Sequence, residues 1–187
     1  LQVAQGCSHN KCRFCTMFKG STFAISPEDE VRADIEELTQ SSWKEPDRVF
    51  LTGGNAFCLP MQRLRETIED IRASMPMVHT IGCFARIEDV GRKSDEELRE
   101  LARLGVSDIS IGAESGLDDA LAFMRKGHTA ADIVEQCRRL DEAGITYDLF
   151  YLAGIAGAGR YEENVRATVD TFGKTNPKRI MIHTLTL

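Results

Sequence analysis

Residues 6–20 read GCSHNKCRFCTMFKG, setting Cys7, Cys12 and Cys15 in a C-x4-C-x2-C pattern with no fourth cysteine nearby. Thiolates are soft ligands suited to zinc or to iron-sulfur clusters, so the pattern is first a metal-site signal. A structural zinc site closes its tetrahedron with four protein ligands, commonly as two paired knuckles. No second C-x2-C or H-x3-H pair occurs in the chain. His9 lies inside the same short loop, where reaching a common metal would strain it.

The plant-type two-iron pattern shares this spacing and needs a distant fourth cysteine. Cys83 falls in an apolar run and Cys137 shares an apolar helical side with Ile133 and Leu140, so both read as buried small hydrophobes. Cys58 stays open as a fourth ligand, which would make the chain an electron-transfer protein. Three ligands on a cubane cluster instead leave one iron for a substrate, and the missing cysteine becomes the functional feature. Lys11, Arg13 and Lys19 make residues 1–20 basic, without one acid. That setting suits low-pKa thiolates, or is a solvated charged loop.

Outward from this loop, apolar runs at Leu1–Ala4, Arg48–Thr52, Val78–Cys83, Asp108–Gly112, Thr146–Ala153 and Arg179–Leu185 read as strands. Helical patterns alternate with them. Ser26-Pro27 followed by Glu28, Asp29 and Glu30 marks one helix start. Ser94 to Glu97 forms a capping box whose helix runs to Gly105, and Thr129 to Asp132 marks another start. Six βα-type repeats, the last without its helix, imply parallel pairing through right-handed crossovers. Barrels and doubly wound sheets both place function in the loops after the strands' carboxyl ends. The cysteine loop, Thr52-Gly53-Gly54-Asn55, Ala85-Arg86, Glu114-Ser115 and the Gly154–Gly159 loop all fall there.

The 187 residues suit a single domain. A net charge of −6 argues against a general phosphate-backbone binder, so nucleic acid is not indicated. No apolar run approaches the roughly 18 residues of a membrane span, and the N-terminus lacks a signal-peptide pattern. Six cysteines are too few for a disulfide scaffold. A cytoplasmic origin is expected. The chain starts at Leu1 on an apolar segment and stops inside another, HTLTL, and reads as an excised fragment of a longer protein.

GCSHNKCRFC, LTGGN, SIGAESG, MRKGHT and YDLFYLAGIAGAG, in that order, make the sequence resemble the radical S-adenosylmethionine (SAM) superfamily over essentially its whole length. The resemblance implies an α/β fold, a partial (β/α)6 TIM-like barrel of parallel strands, with residues 1–187 as one core domain. It implies a 4Fe-4S cluster on Cys7, Cys12 and Cys15, with Phe14 as the aromatic residue before the last cysteine. The commoner family spacing is C-x3-C-x2-C, so this loop is one residue longer. Gly53-Gly54-Asn55 stands where the family has Gly-Gly-Glu, an amide replacing the carboxylate that contacts methionine's amino group; the glycines alone would also fit a tight turn.

By the same resemblance Glu114, with Ser115, binds ribose, and Arg125 or Lys126 faces the methionine carboxylate, unless these cations only complement a helix dipole. Asp148 touches ribose, as in some members. An Asp in an apolar strand needs a ligand or a hydrogen-bonded partner. Gly154 and Ile155 pack beside adenine. Arg86, Tyr151 and His183 are candidates for the substrate side of the barrel interior. The implied reaction cleaves SAM reductively to methionine and a 5'-deoxyadenosyl radical that abstracts hydrogen from an unknown substrate. A reductant such as flavodoxin or ferredoxin is implied. Within the superfamily the strings are most similar to a group related to oxygen-independent coproporphyrinogen oxidases, methylthiotransferases and elongator-type subunits.

Overall fold

The computed structural model describes residues 1–40 and 46–185; the last two residues of HTLTL lie outside this range. Strands β1 (Ala4–Gln5) and β2 (Ala24–Ile25) flank the cysteine loop and precede helix α1 (Glu28–Gln40). Then β3 (Arg48–Leu51), α2 (Met61–Ser74), β4 (Thr80–Ala85), α3 (Ile87–Gly91) and α4 (Asp95–Arg103) follow. The chain continues through β5 (Ile109–Glu114), α5 (Asp118–Phe123), α6 (Ala130–Ala143), β6 (Tyr147–Ala153), α7 (Tyr161–Phe172) and β7 (Arg179–Thr184). Strands β3 to β7 form one sheet in sequence order, every pair parallel.

The expected first strand, Leu1–Ala4, is corrected to a short parallel edge. Gln2 bridges Thr52, and Thr52 N donates to Leu1 O at 2.7 Å. Pairing stops there because Ala4 and Gln5 turn to pair antiparallel with Ile25 and Ala24. This edge makes a sixth parallel segment beside β3. The third strand begins two residues later than expected, since Val78 closes a turn onto Met75 O.

Local chemistry fixes the helix ends. Ser94 Oγ accepts from Glu97 N at 3.1 Å while Glu97 Oε2 accepts from Ser94 N at 2.7 Å. Thr129 and Asp132 repeat the arrangement at α6. Gly105, with φ 80°, follows the end of α4 in the left-handed region that costs glycine least.

Strand alternation sorts the sheet into two faces. Val49, Leu51, Ile81, Cys83, Ile109, Ile111 and Leu149 are buried with helix residues such as Leu64, Ile68, Leu98 and Leu140. Each fully buried aliphatic side chain contributes roughly 1.5–3 kcal/mol. The opposite, concave face carries an aromatic series: Phe50–Phe84 at 5.0 Å and Phe150–His183 at 4.9 Å, both T-shaped, and Phe84–Phe150 tilted at 6.4 Å between ring centroids. At the β7 end Tyr161, Val165 and Val169 of α7, with Ile180 and Ile182 of β7, remain 46–69% exposed.

Candidate active site

The loop after β1 crosses the carboxyl ends of the sheet. Cys7, Cys12, Cys15 and Phe14 there line one pocket with Gly53, Gly54, Arg86, Glu114 and Lys126. Phe84, Ser110, Gly112 and Phe150 form its concave floor. Close backbone packing seats the loop. Gly54 N donates to Gly6 O at 2.8 Å, and a Cβ on Gly54 would stand 2.6 Å from Cys7 Cα. A Cβ on Gly53 would stand 2.8 Å from Ala4 O.

Asn10 lies within the four-residue first spacing. Its φ of 44° uses the left-handed region that Asn tolerates better than most residues. Its Nδ2 donates to Phe18 O at 2.8 Å and Ser21 O at 3.2 Å, closing the loop on itself. On the far side His9 Nε2 donates to Arg125 O at 2.6 Å, and Arg13 N donates to Met124 O at 3.0 Å. The loop is thus held at both the β3 end and the α5–α6 turn.

Asn55 is buried, and its side chain does not line the pocket. Its Oδ1 accepts from Ser8 N at 3.0 Å, and its Nδ2 donates to Ser8 Oγ and Asp89 Oδ2, each at 2.7 Å. Asp89 Oδ2 also accepts from Arg86 N at 2.9 Å, tying the start of α3 to the same brace. Burial pushes the Asp89 carboxyl up; the Asn55 hydrogen bond opposes it.

Two cations enter the pocket wall. Lys126 Nζ pairs with Glu114 Oε1 at 3.2 Å and sits 5.6 Å from the Phe14 ring centroid. Glu114 follows a register shift after Ile111 and has φ 70°, so a bulge re-aims its side chain. A Cβ on Gly112 would stand 2.8 Å from Glu114 Oε1, so glycine makes room for the pair. Arg86 Nη2 donates to Lys126 O at 2.6 Å, and the guanidinium pairs with Glu88. Burial raises Glu88, but a hydrogen bond from His128 and the Arg86 charge outweigh it and hold this carboxyl down at about 2. Burial pushes the Cys12 thiol up, with Lys126 and Arg86 opposing.

Other sequence candidates sit elsewhere. Tyr151 is corrected: alternation turns it to the helix face, where its OH accepts from Asn164 Nδ2 at 2.9 Å. Asp148 is buried near the start of β6 and pairs with Arg179 at 2.7 Å; the partner it needs is this guanidinium. Ser115 Oγ donates to Asn164 Oδ1 at 2.5 Å and is buried away from the pocket lining. The Arg125 side chain is exposed, and only its carbonyl meets the cysteine loop. Gly154 and Ile155 form the turn after β6, outside the lining residues. His183 lies on the concave face against Phe150. Cys58 is outside the pocket, beside Ser8. Burial pushes the Cys83 and Cys137 thiols up to about 12, as suits buried hydrophobes.

Sequence reading missed Phe84 and Phe150, although period-two alternation with Ser110 and Gly112 places them together. It also missed Ser8 and Asp89, for which no local pattern exists. Among the described residues no group of three His, Cys, Asp or Glu side chains is close enough to hold a single metal ion. The cysteines instead surround one pocket.

The chain is 25% identical over 184 residues to the heme chaperone HemW of Lactococcus lactis, covering 97% of this chain and 47% of that protein. It is 27% identical over 169 residues to a tRNA-2-methylthio-N(6)-dimethylallyladenosine synthase of Bordetella petrii, covering 84% and 34%. It therefore spans less than half the length of these relatives. The solved structure of coproporphyrinogen III oxidase HemN from Escherichia coli, described as a radical SAM enzyme, superposes with a TM-score of 0.76 at 13% identity, covering 97% of this chain and 42% of that one. The Radical SAM superfamily model matches residues 1–172. From this match the chain belongs to the radical SAM superfamily and is an enzyme of that class.

Proposed function

We propose that Cys7, Cys12 and Cys15 hold a 4Fe-4S cluster, that SAM binds in the adjoining pocket, and that the chain is the catalytic core of an enzyme generating a 5'-deoxyadenosyl radical. One observation carries this reading: three thiols, two cations and a carboxylate share one pocket at the strands' carboxyl ends. Thiolate donors suit an iron-sulfur cluster. Three half-buried thiols line the same pocket, the donor set an iron-sulfur cluster takes.

When bound, the cluster supplies the electron that splits the SAM sulfonium. The chain's residues do the rest. Lys126 and Arg86 offer positive charge to the methionine carboxylate, and Glu114 both orients Lys126 and offers an acceptor to ribose hydroxyls. Phe84 and Phe150 exclude water from the floor. Asn55 acts on Ser8, fixing the loop beside Cys7. His183 faces the concave side, where a substrate would enter.

The two curated relatives are named for a heme chaperone and for a modified tRNA adenosine, which supports shared core chemistry with substrate choice set elsewhere. A reductant of the flavodoxin or ferredoxin kind supplies the electron. No described helix is long and apolar enough to cross a membrane. Six free thiols favour a reducing compartment such as the cytoplasm.

The test is anaerobic reconstitution followed by iron and sulfide analysis, then reduction with SAM and detection of 5'-deoxyadenosine by mass spectrometry. About four irons per chain, lost when Cys7, Cys12 and Cys15 become Ala and retained in Cys58→Ala, are expected. Bound zinc without a brown chromophore would overturn the reading.

A further inference from the structure

Phe84 and Phe150 line the pocket of the three thiols, but the ring series runs on past it, to Phe50 on one side and His183 on the other. Phe84 is 39% exposed, His183 is exposed, and Phe50 and Phe150 are half-buried. Small residues make this face a trough. Alternation puts Gly82 of β4 and Ser110 and Gly112 of β5 on the same side as the rings. With nothing larger on β5, Phe84 and Phe150 approach each other from the strands either side of it.

At the foot of the trough the Arg48 guanidinium lies 5.6 Å from the Phe50 ring centroid. A Cβ on Gly82 would stand 2.8 Å from Phe50 Cδ2 and 2.9 Å from Arg48 Nη2, so the bare glycine leaves the space that both side chains occupy. Among the described residues Arg48 is in no ion pair. Lys178 and Arg179, at the same end of the sheet, are neutralised by Asp108 at 3.0 Å and Asp148 at 2.7 Å.

A ring series gains more from a flat conjugated partner than buried area alone provides, through offset and edge-to-face contacts. The exposed aliphatic side chains Ile180 and Ile182, which would serve a saturated ligand as well, fall on the other face of β7. An unneutralised guanidinium disfavours a cation and matches the two oxygens of a carboxylate.

We propose that this trough binds the substrate and that the substrate is an aromatic carboxylic acid, its ring resting on Phe50, Phe84 and Phe150 and its carboxylate on Arg48. The far edge of that ring then reaches the pocket of Cys7, Cys12 and Cys15, which Phe84 and Phe150 also line. Calling this ligand the substrate rests on the cluster and SAM reading given above.

The probe is 2-naphthoate, with decahydro-2-naphthoate as its saturated counterpart and 2-naphthylmethylamine as its cationic one. Equilibrium dialysis measures binding to the metal-free and the cluster-loaded chain, without SAM. Naphthoate should bind several-fold tighter than either analogue. Arg48→Gln should weaken naphthoate binding by about tenfold or more, and Phe50→Leu several-fold. Neither residue lines the thiol pocket, so both variants should load iron as the wild type does. Ile182→Ser, on the opposite face, should bind naphthoate unchanged. The proposal is overturned if the saturated acid or the amine binds as well as naphthoate, if Arg48→Gln and Phe50→Leu bind like the wild type, if only Ile182→Ser loses binding, or if neither form of the chain binds naphthoate. Arg48-dependent naphthoate binding by a chain that cannot load iron would keep the acid site and remove the cluster reading. A chain that loads iron and cleaves SAM but binds no naphthoate does the reverse.

Discussion

Asn55 and Asp89 share a buried hydrogen bond of 2.7 Å, and through it the start of α3 supports the amide of Ser8, the neighbour of Cys7. The amide side chain suits this place because it donates to a carboxylate and accepts from a backbone N–H at once. Asn55→Ala leaves Ser8 N and Asp89 Oδ2 each short of a partner in a buried setting. A loss of about 1–3 kcal/mol is expected by urea unfolding, with iron loading reduced alongside it.

Gly54 makes a sharper contrast. Gly54→Ala drives a Cβ to 2.6 Å from Cys7 Cα and must displace the loop. Iron incorporation should fall severely. Gly144→Ala places its Cβ in open space at φ 79°. It should cost about 1–2 kcal/mol of stability from backbone strain and leave iron content unchanged.

Lys126 is buried and, with Arg86, gives the pocket its positive charge, beside Glu114. Lys126→Met should weaken SAM binding by roughly 10- to 100-fold, the scale of one hydrogen bond to a charged group. Equilibrium dialysis with the loaded protein measures it. Unchanged affinity would remove Lys126 from the SAM-binding residues.

Glu88 gives the fold an acid-sensitive element. Its carboxyl is held at about 2, below the ordinary 4.5, so its contribution is fully present above 4.5 and is lost as pH falls toward 2. Urea midpoints measured across that window should decline in the wild type. The decline should be shallower in Glu88→Gln, whose stability is lower at neutral pH.

Much of this architecture can be read locally. The capping boxes at Ser94 and Thr129 lie within four residues each, and βα spacing points to parallel strands, while their sequential order in the sheet is read from the structure. Tyr151 misled because the one charge in its strand, Asp148, is itself buried against Arg179 and so does not mark which face is which. Asn55 could not be placed from sequence because its partners lie 47 and 34 residues away. Arg125 and Lys126 are adjacent in sequence, yet Lys126 enters the pocket wall while Arg125, at φ 57°, stays exposed.

The fastening of the cysteine loop at two distant points bears on the order of assembly. Its bonds reach 47 residues forward to Asn55 and 116 to Arg125. Closing such spans costs chain entropy that neighbouring contacts do not. The three thiols thus take their places around the pocket only once the chain from β3 through α5 has condensed, and a nascent polypeptide released before Arg125 emerges lacks one of the two anchors of their loop.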